Sequence, residues 1–451
     1  MPPQLRTHRT PCLGISFSLA LMLASCAASG GQAEEVDPQL VSGKAFPTAI
    51  GYGVNAAGGR GGKMIQVTTL DDAGAGSLRS CLEATGPRTC IFRIGGVFRF
   101  SGKPPVIKNP YLTIAGQTAS GGGVTIAHDG SPQSRTPLLI KNSHDIIVRH
   151  IRVRNDRIGG ERESEDSITI ENSRNVIIDH VSASWARDEI INGYGDNDLI
   201  TISHSIFAYG IPKHDKCALL GSDPKNIQNM SFIGNICAHN GDRNPDINFR
   251  PSSCIEVLNN IFFNAQSEFA EIWESYGGTP VSIVGNIFKA GPNSSARSVG
   301  VIRQTEGSAG PSSIYLDDNR FIGDFIHVDA SVAGVRQAKP SCPLTVEPSP
   351  ASEAFGTILA NAGAWPRDAI DLRVISDVRN GTGKIVSKPG EIPPVADGKP
   401  YTDSDADGMD DLWESRNGMK VGKFDPWDDA NGDDVSNFDA FLDYLDRNFS
   451  R

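Results

Sequence analysis

Short apolar runs recur through the middle of the chain at Ile146–Val148, Val176–Ile178, Ile200–Ile202, Phe232–Ile233, Val257–Leu258, Ile283–Val284 and Tyr315–Leu316. A polar residue follows each run: His150, His180, His204, Asn235, Asn260, Asn286 and Asn319. The spacing is 24 to 33 residues, and a second short run, such as Ile261–Phe263, follows the first. Repeats of this size, built from short strands without helical periodicity, predict an all-β parallel solenoid. One coil cannot bury its apolar face alone, so coils must stack and share a continuous core. Asn side chains at one recurring position are expected to bond their equivalents in the next coil. A β-sandwich is the competing arrangement for strands so spaced. A solenoid would offer a long lateral groove suited to a polymer.

The repeat sets the domain plan. Residues 45–385 are expected to form the solenoid, which grows without a second core. Residues 386–401, with Pro389, Pro393, Pro394 and Pro400, read as a semi-rigid linker before an acidic tail at 402–451. At the other end, Arg6 and Arg9 precede the apolar stretch Leu13–Leu23 and the sequence Leu23-Ala24-Ser25-Cys26. Residues 1–25 therefore read as a secretory signal, too short to be a transmembrane helix. Leu-Ala-Ser-Cys resembles a bacterial lipobox, which would place a lipid on Cys26 as the chain's only membrane attachment, at the outer membrane or cell surface. Cleavage near Ala33 would instead leave a periplasmic or secreted protein. Residues 26–44 are expected to be a flexible leader if Cys26 is the first mature residue, and residues 34–44 if cleavage follows Ala33.

A net charge of −11 argues against nucleic acid as a partner. An acidic polymer would need a local basic patch. Beyond Cys26, six cysteines remain, and in an exported protein they permit three disulfides. Cys81 and Cys90 bracket a short Gly-Pro turn and are the favoured pair. Cys217 and Cys237 lie about one coil apart and could bridge adjacent coils. The expected state is a monomer.

The tail carries Asp403-Ser-Asp405-Ala-Asp407-Gly408 with Glu414 beyond, a match to the D-x-D-x-D-G-x5-E loop at every specified place. Alternating short carboxylates converge on a hard cation, Gly408 supplies the sharp turn, and Glu414 offers two oxygens. Asp411 is a further candidate ligand between them. A second loop, Asp429-Ala-Asn431-Gly-Asp433, is degenerate, with Asp434 where Gly is wanted and Ala440 at the last ligand place. The pair resembles the calcium loops of dockerin and thrombospondin type 3 repeats, which implies Ca2+ bound either to stabilise the tail or to dock it to a partner. Stabilisation is the favoured role, because without an ion the clustered carboxylates repel.

Specific motifs then appear in order across residues 46–264. They are Gly58-Gly-Arg60-Gly-Gly-Lys63, Leu70-Asp-Asp-Ala-Gly-Ala-Gly-Ser77-Leu-Arg79, Thr113-Ile-Ala-Gly116-Gln117-Thr118, Asp166-Ser-Ile168 and Ile177-Ile-Asp179-His180. His214-Asp-Lys216 through Leu220-Gly221-Ser-Asp223, Arg243-Asn-Pro245 and Asn259-Asn260 follow. Together they resemble the pectate lyases of polysaccharide lyase family 1. The resemblance implies a right-handed parallel β-helix that cleaves polygalacturonate by β-elimination with the help of Ca2+. It places Asp166 among the calcium ligands, and Asp188 and Glu189 at the second ligand region. Where the family often has another Asp, this chain has Ser164, with Glu163 and Glu165 as the nearest substitutes. Lys216 matches the lysine that binds a substrate carboxylate. Arg243 matches the arginine assigned as Brønsted base, although a guanidinium is normally always protonated; if charged, it would stabilise the developing enolate instead. The family's second arginine falls at Asn248 here, leaving Arg250 as the substrate-binding candidate. Lys216 and carboxylate-bound calcium favour de-esterified pectate over pectin. The competing classes are a noncatalytic polysaccharide-binding solenoid and a glycoside hydrolase on the same fold, but the Gly-His-Gly and Arg-Ile-Lys tripeptides of polygalacturonases are absent from the chain.

Overall fold

Runs such as Val176-Ile177-Ile178 are rich in the β-branched residues that suit a pleated, buried strand. In the computed structural model, which describes residues 43–158 and 165–449, they are strands. The signal segment, Cys26 and nearly all of the leader lie outside the described residues. Three sheets run along the solenoid, with eleven, nine and nine strands. One coil contributes a strand to each: Ile168–Glu171, then Arg174–Asp179, then Ser182–Ser184, after which Glu189–Tyr194 returns to the first sheet one coil on. Every such pairing is parallel, which excludes a sandwich of antiparallel hairpins. The interior is one continuous apolar file that includes Phe92, Ile126, Val153, Phe207, Phe232, Phe262 and Phe288.

The polar ladder forms as two adjacent columns, not one. Strand register sets Ile202 beside Phe232 and Ser203 beside Ile233, so His204 stands level with Gly234 and Ser205 with Asn235. Asn235, Asn260, Asn286 and Asn319 form the true ladder. The backbone N–H of Ser205 donates to Asn235 Oδ1 (2.9 Å), that of Asn235 to Asn260 (2.8 Å), that of Asn260 to Asn286 (2.9 Å) and that of Asn286 to Asn319 (3.0 Å). His150, His180 and His204 occupy the column one residue earlier, their rings stacked at 4.9 and 5.0 Å. That column turns a corner with left-handed backbone: φ is 53°, 52° and 45° at the histidines, 49° at Asn259 and 44° at Asp318, with glycines at 234 and 285. Gly, Asn, Asp and His tolerate this conformation best. Polar residues therefore recur for two reasons, backbone geometry in one column and hydrogen bonding in the next.

The disulfide Cys81–Cys90 forms as expected. Cys217–Cys237 also forms, but strand order places both in one coil, so the bond closes a single coil across its interior instead of linking two. Cys254–Cys342 completes the set.

Strands continue to Gln337, and the remainder of the expected solenoid segment is a covering layer. Helices Ala351–Asn361 and Ala369–Asn380 pack Ile358, Leu359, Val374 and Val378 onto Ile206, Ile236, Ile261 and Ile287 of the sheet beneath. The following linker has no regular secondary structure and returns toward the first coils, where the Gly122 N–H donates to Ala396 O (2.8 Å). A Cβ on Gly121 would lie 2.2 Å from that same oxygen, so only glycine permits the approach. The acidic tail then lies on the outer face of the eleven-stranded sheet. Met409, Trp413, Phe438, Phe441 and Leu442 cover Ile91 and Ala115. Arg60 pairs with Asp439 (3.0 Å) and Arg149 with Asp446 (2.7 Å), while Trp427 Nε1 donates to Gly62 O (3.0 Å).

Two outcomes follow from this packing. Asn260→Val removes bonds from Nδ2 to Phe232 O (2.8 Å) and Asn286 Oδ1 (2.9 Å) and orphans the Asn235 N–H. In urea unfolding it should cost about 1–3 kcal/mol for each buried group left unmade, whereas His204→Asn, which keeps a residue tolerant of left-handed backbone, should cost less. The second concerns acid. Burial opposes ionisation of Asp446, but Arg149 and then His150 outweigh it and hold the carboxyl down at about 2. A carboxylate depressed on folding stabilises fully above its unfolded pKa of about 4 and loses that contribution as pH falls through its folded value. With chelator present, tryptophan fluorescence from Trp413 and Trp427 should report loosening of the tail between those limits, and Asp446→Asn should abolish that acid step.

Candidate active site

The expected site residues are far apart in sequence and adjacent across coils. Strands Ile168–Glu171, Glu189–Tyr194, Lys216–Ser222, Asp246–Ile247 and Glu268–Trp273 lie side by side in one nine-stranded sheet. Register pairs Glu189 with Lys216, bridges Lys216 to Asp242, and pairs Asp246 with Glu271. Asp166, Asp188, Glu189, Lys216 and Arg243 thus gather at the entry edge of that sheet.

Asp166 is buried. Its Oδ2 accepts from Thr169 Oγ1 (2.6 Å) and Asn192 Nδ2 (3.0 Å), and its Oδ1 accepts from the Glu189 N–H (3.3 Å). Oxygens of Asp166, Asp188 and Glu189 lie within 4.8 Å of one another. Burial raises the Asp166 carboxyl to about 7, with Asp188 adding to the rise while Thr169 and Asn192 hold it back. Burial likewise lifts Glu189 to about 8, helped by Asp166 and Asp188. Like charges about 4 Å apart repel by roughly 4 kcal/mol at an effective dielectric near 20. An oxygen-only set under that strain suits a hard divalent cation, so the residues present fit calcium.

Beyond this acid group stand two cations. Lys216 pairs with Asp242, and the Arg243 guanidinium bridges Glu189 to Asp246, 3.3 Å away on the Asp246 side. Burial alone would lower the Arg243 pKa, but Asp246 and then Glu189 raise it above its ordinary value, so the side chain is charged. The Arg243 N–H donates to Glu271 Oε1 (3.2 Å). A second acid group, Asp242, Glu268 and Glu271, follows. Burial, then Asp242, lifts Glu271 to about 7. Arg250 is exposed on the connection after Asp246–Ile247, outside this run of ion pairs. Ser164 and Glu163 lie outside the described residues. Glu165 is committed to His128 and to Arg187 (2.7 Å). Trp185 is buried against the covering helices, and His239 stacks on Tyr209, so neither faces this edge as a free group.

Asp242, Asp246, Glu271 and Asn192 are site residues that sequence reasoning missed. The one available cue was an acid in the interior of a strand that is apolar apart from its first residue, Glu271 in Glu268–Trp273. The arrangement places fixed positive charge between two acid groups, where it can orient an anionic group and stabilise negative charge forming beside it.

In the tail, Asp403, Asp405 and Asp407 converge, as do Asp407, Glu414 and Asp425. Asp411 does not join them: its two oxygens accept from the N–H and hydroxyl of Ser404 (2.9 and 2.6 Å). In the second loop Asp429 accepts from the N–H groups of Gly432, Asp433 and Asp434, a turn closed on itself.

No family model matches the chain. Individual relatives do. Over 394 residues it is 34% identical to a probable pectate lyase C of Aspergillus fumigatus, covering 83% of the chain and 87% of that protein. A probable pectate lyase C of Aspergillus terreus is also 34% identical, over 388 residues and the same shares. The solved structure of jun a 1, the major allergen from cedar pollen, has the same fold, with a TM-score of 0.52 at 20% identity over 70% of this chain and 92% of that one. With relatives this similar over nearly their whole length, and a parallel solenoid that brings the matching motifs to one edge, the chain belongs to the pectate lyase family and is a polysaccharide lyase.

Proposed function

We propose that the chain cleaves de-esterified polygalacturonate by calcium-dependent β-elimination, releasing unsaturated oligouronides. The observation that carries this reading is the convergence of Asp166, Asp188 and Glu189 beside Lys216 and Arg243 on consecutive coils. The C5 proton of a galacturonate is α to its carboxylate, so removing it builds negative charge on that group. Calcium bound by the three acids would supply Lewis-acid neutralisation of the substrate carboxylate. Lys216 exchanges Asp242 for a substrate carboxylate, acting as a compact point charge. Arg243 is the catalytic residue: a guanidinium is ordinarily always charged, so it stabilises the enolate as the proton passes to hydroxide or another base. The C4 oxygen then leaves and the double bond closes between C4 and C5. Arg250 meets a carboxylate farther along the polymer.

The tail loop is a second calcium site, using Asp403, Asp405, Asp407 and Glu414. Its apolar face is spent on the solenoid, which favours stabilisation over docking to a partner. Residues 1–25 direct export, with Cys26 as the lipid anchor.

Incubation with polygalacturonate and calcium at alkaline pH should raise the ultraviolet absorbance of an unsaturated uronide, and chelator should stop it. Arg243→Ala should slow that rise by about a hundredfold or more, the scale for losing one charge-stabilising donor. Growth of reducing ends without absorbance would instead mean hydrolysis. Asp166→Asn should shift the calcium needed for half-maximal rate upward by at least about tenfold, a change no smaller than that seen for ligand-supporting groups; an unchanged calcium dependence would remove Asp166 from the ligand set.

A further inference from the structure

Five carboxylates meet where the tail touches the first coils. Asp403, Asp405 and Asp407 hold oxygens within 4.8 Å of one another, and so do Asp407, Glu414 and Asp425. Asp407 and Glu414 are fully buried. Both Glu414 oxygens, Asp407 Oδ2, Asp405 Oδ2 and Asp403 Oδ1 find no hydrogen-bond partner among the described residues. A buried ionised oxygen without a partner is costly, so two acid triads that share Asp407 and hold oxygens in this state mark the place of a cation.

Asp425 lies outside the Asp403–Glu414 loop. It is held by Asn437, whose Nδ2 donates to the Asp425 carbonyl (2.9 Å), and Asn437 opens the last helix, Asn437–Phe449; the Asp425 carboxylate also pairs with the exposed Lys423 (2.9 Å), which Asp428 shares, so calcium binding would displace that lysine. At the other side of the cluster, Asp403 pairs with Arg93 of the solenoid (3.4 Å), and Arg93 stacks over Tyr401 (4.6 Å). The loop rests directly on the sheet: a Cβ on Gly408 would fall 2.4 Å from Ile91 Cδ1.

We infer that Asp425 is a ligand of the tail calcium, and that the ion thereby clasps the last helix to the outer face of the first coils. This rests on the tail loop being a calcium site. The linkage is thermodynamic. Docking collects five carboxylates in one place, and their repulsion favours release unless a cation neutralises them. Anything that binds the docked form in preference to the released one stabilises it.

The test uses the full chain carrying Asp166→Asn and Asp188→Asn, so that calcium reports on the tail. Calcium titration by calorimetry is paired with hydrogen exchange across residues 437–449, and circular dichroism verifies the fold of each variant. Calcium should protect the helix amides. Asp425→Asn should weaken calcium binding by at least about tenfold, as loss of even a ligand's supporting group does, and remove the calcium-dependent protection. Asp411→Asn, whose carboxylate is turned to Ser404, should leave both unchanged. If Glu414→Gln weakens binding but Asp425→Asn does not, the loop holds calcium without Asp425 and the inference fails alone. If neither variant alters binding, the calcium-loop reading itself fails, and the inference with it. Binding weakened by Asp425→Asn without any effect of calcium on helix exchange would overturn the clasp.

Discussion

Each inner strand of this solenoid finds its backbone partners in the coil before and the coil after, at the 4.7–4.9 Å spacing of paired strands. A side chain at a given register position therefore has its counterparts from neighbouring coils directly beside it. Glu189, Lys216 and Asp242 form such a file. The alternation of acid, cation and acid along it needs no long loop and no mobile lid. It also explains how a chain of net charge −11 can serve an acidic polymer. What a substrate carboxylate meets is the local order of charges along the file, not the average over the surface.

The same stacking lets one coil fasten both coverings, beside the contacts that other coils make. Strands His144–Arg149 and Ile151–Arg154 belong to adjacent sheets of one turn. Arg149, on one outer face, joins Asp179 (3.2 Å) to Asp446 of the tail. Arg154, on the next, is fully buried and donates to Asp371 (2.7 Å) and Asp368 (3.0 Å) of the covering helix. Both coverings are thus fastened by a buried guanidinium. Removing one partner from a buried pair leaves an uncompensated charge, at a cost of about 3–5 kcal/mol.

Much of this was legible in the sequence. Apolar runs at coil spacing announce a solenoid because every turn must contribute to the same core. The ladder was read one residue out of step between His204 and Asn235, since an interval in sequence does not reveal where a corner residue is inserted. Asp166, Asp188, Glu189, Lys216 and Arg243 were found through motifs, and the structure brings them together. Asp242, Asp246 and Glu271 belong to no such motif, and an isolated acid looks the same in sequence whether it faces solvent or a guanidinium; only Glu271, inside a strand, offers a cue. The same limit applies to Asp425. Its relation to Glu414 depends on how the tail folds over the first coils, which no local pattern records. Asp411 stood at the right spacing, yet Ser404 offered its carboxylate two nearer donors.

The tail that covers Ile91 and Ala115 is the last described segment of the chain, whereas the strands it covers, Arg88–Phe92 and Leu112–Ala115, are among the first. During synthesis the early coils therefore emerge with that apolar strip bare, and it stays bare until some three hundred residues more have been made. A chain lacking the tail would keep every described strand, the last of which is Arg336–Gln337, and still leave that strip in water, so the stability of the first coils is tied to a segment remote from them in sequence.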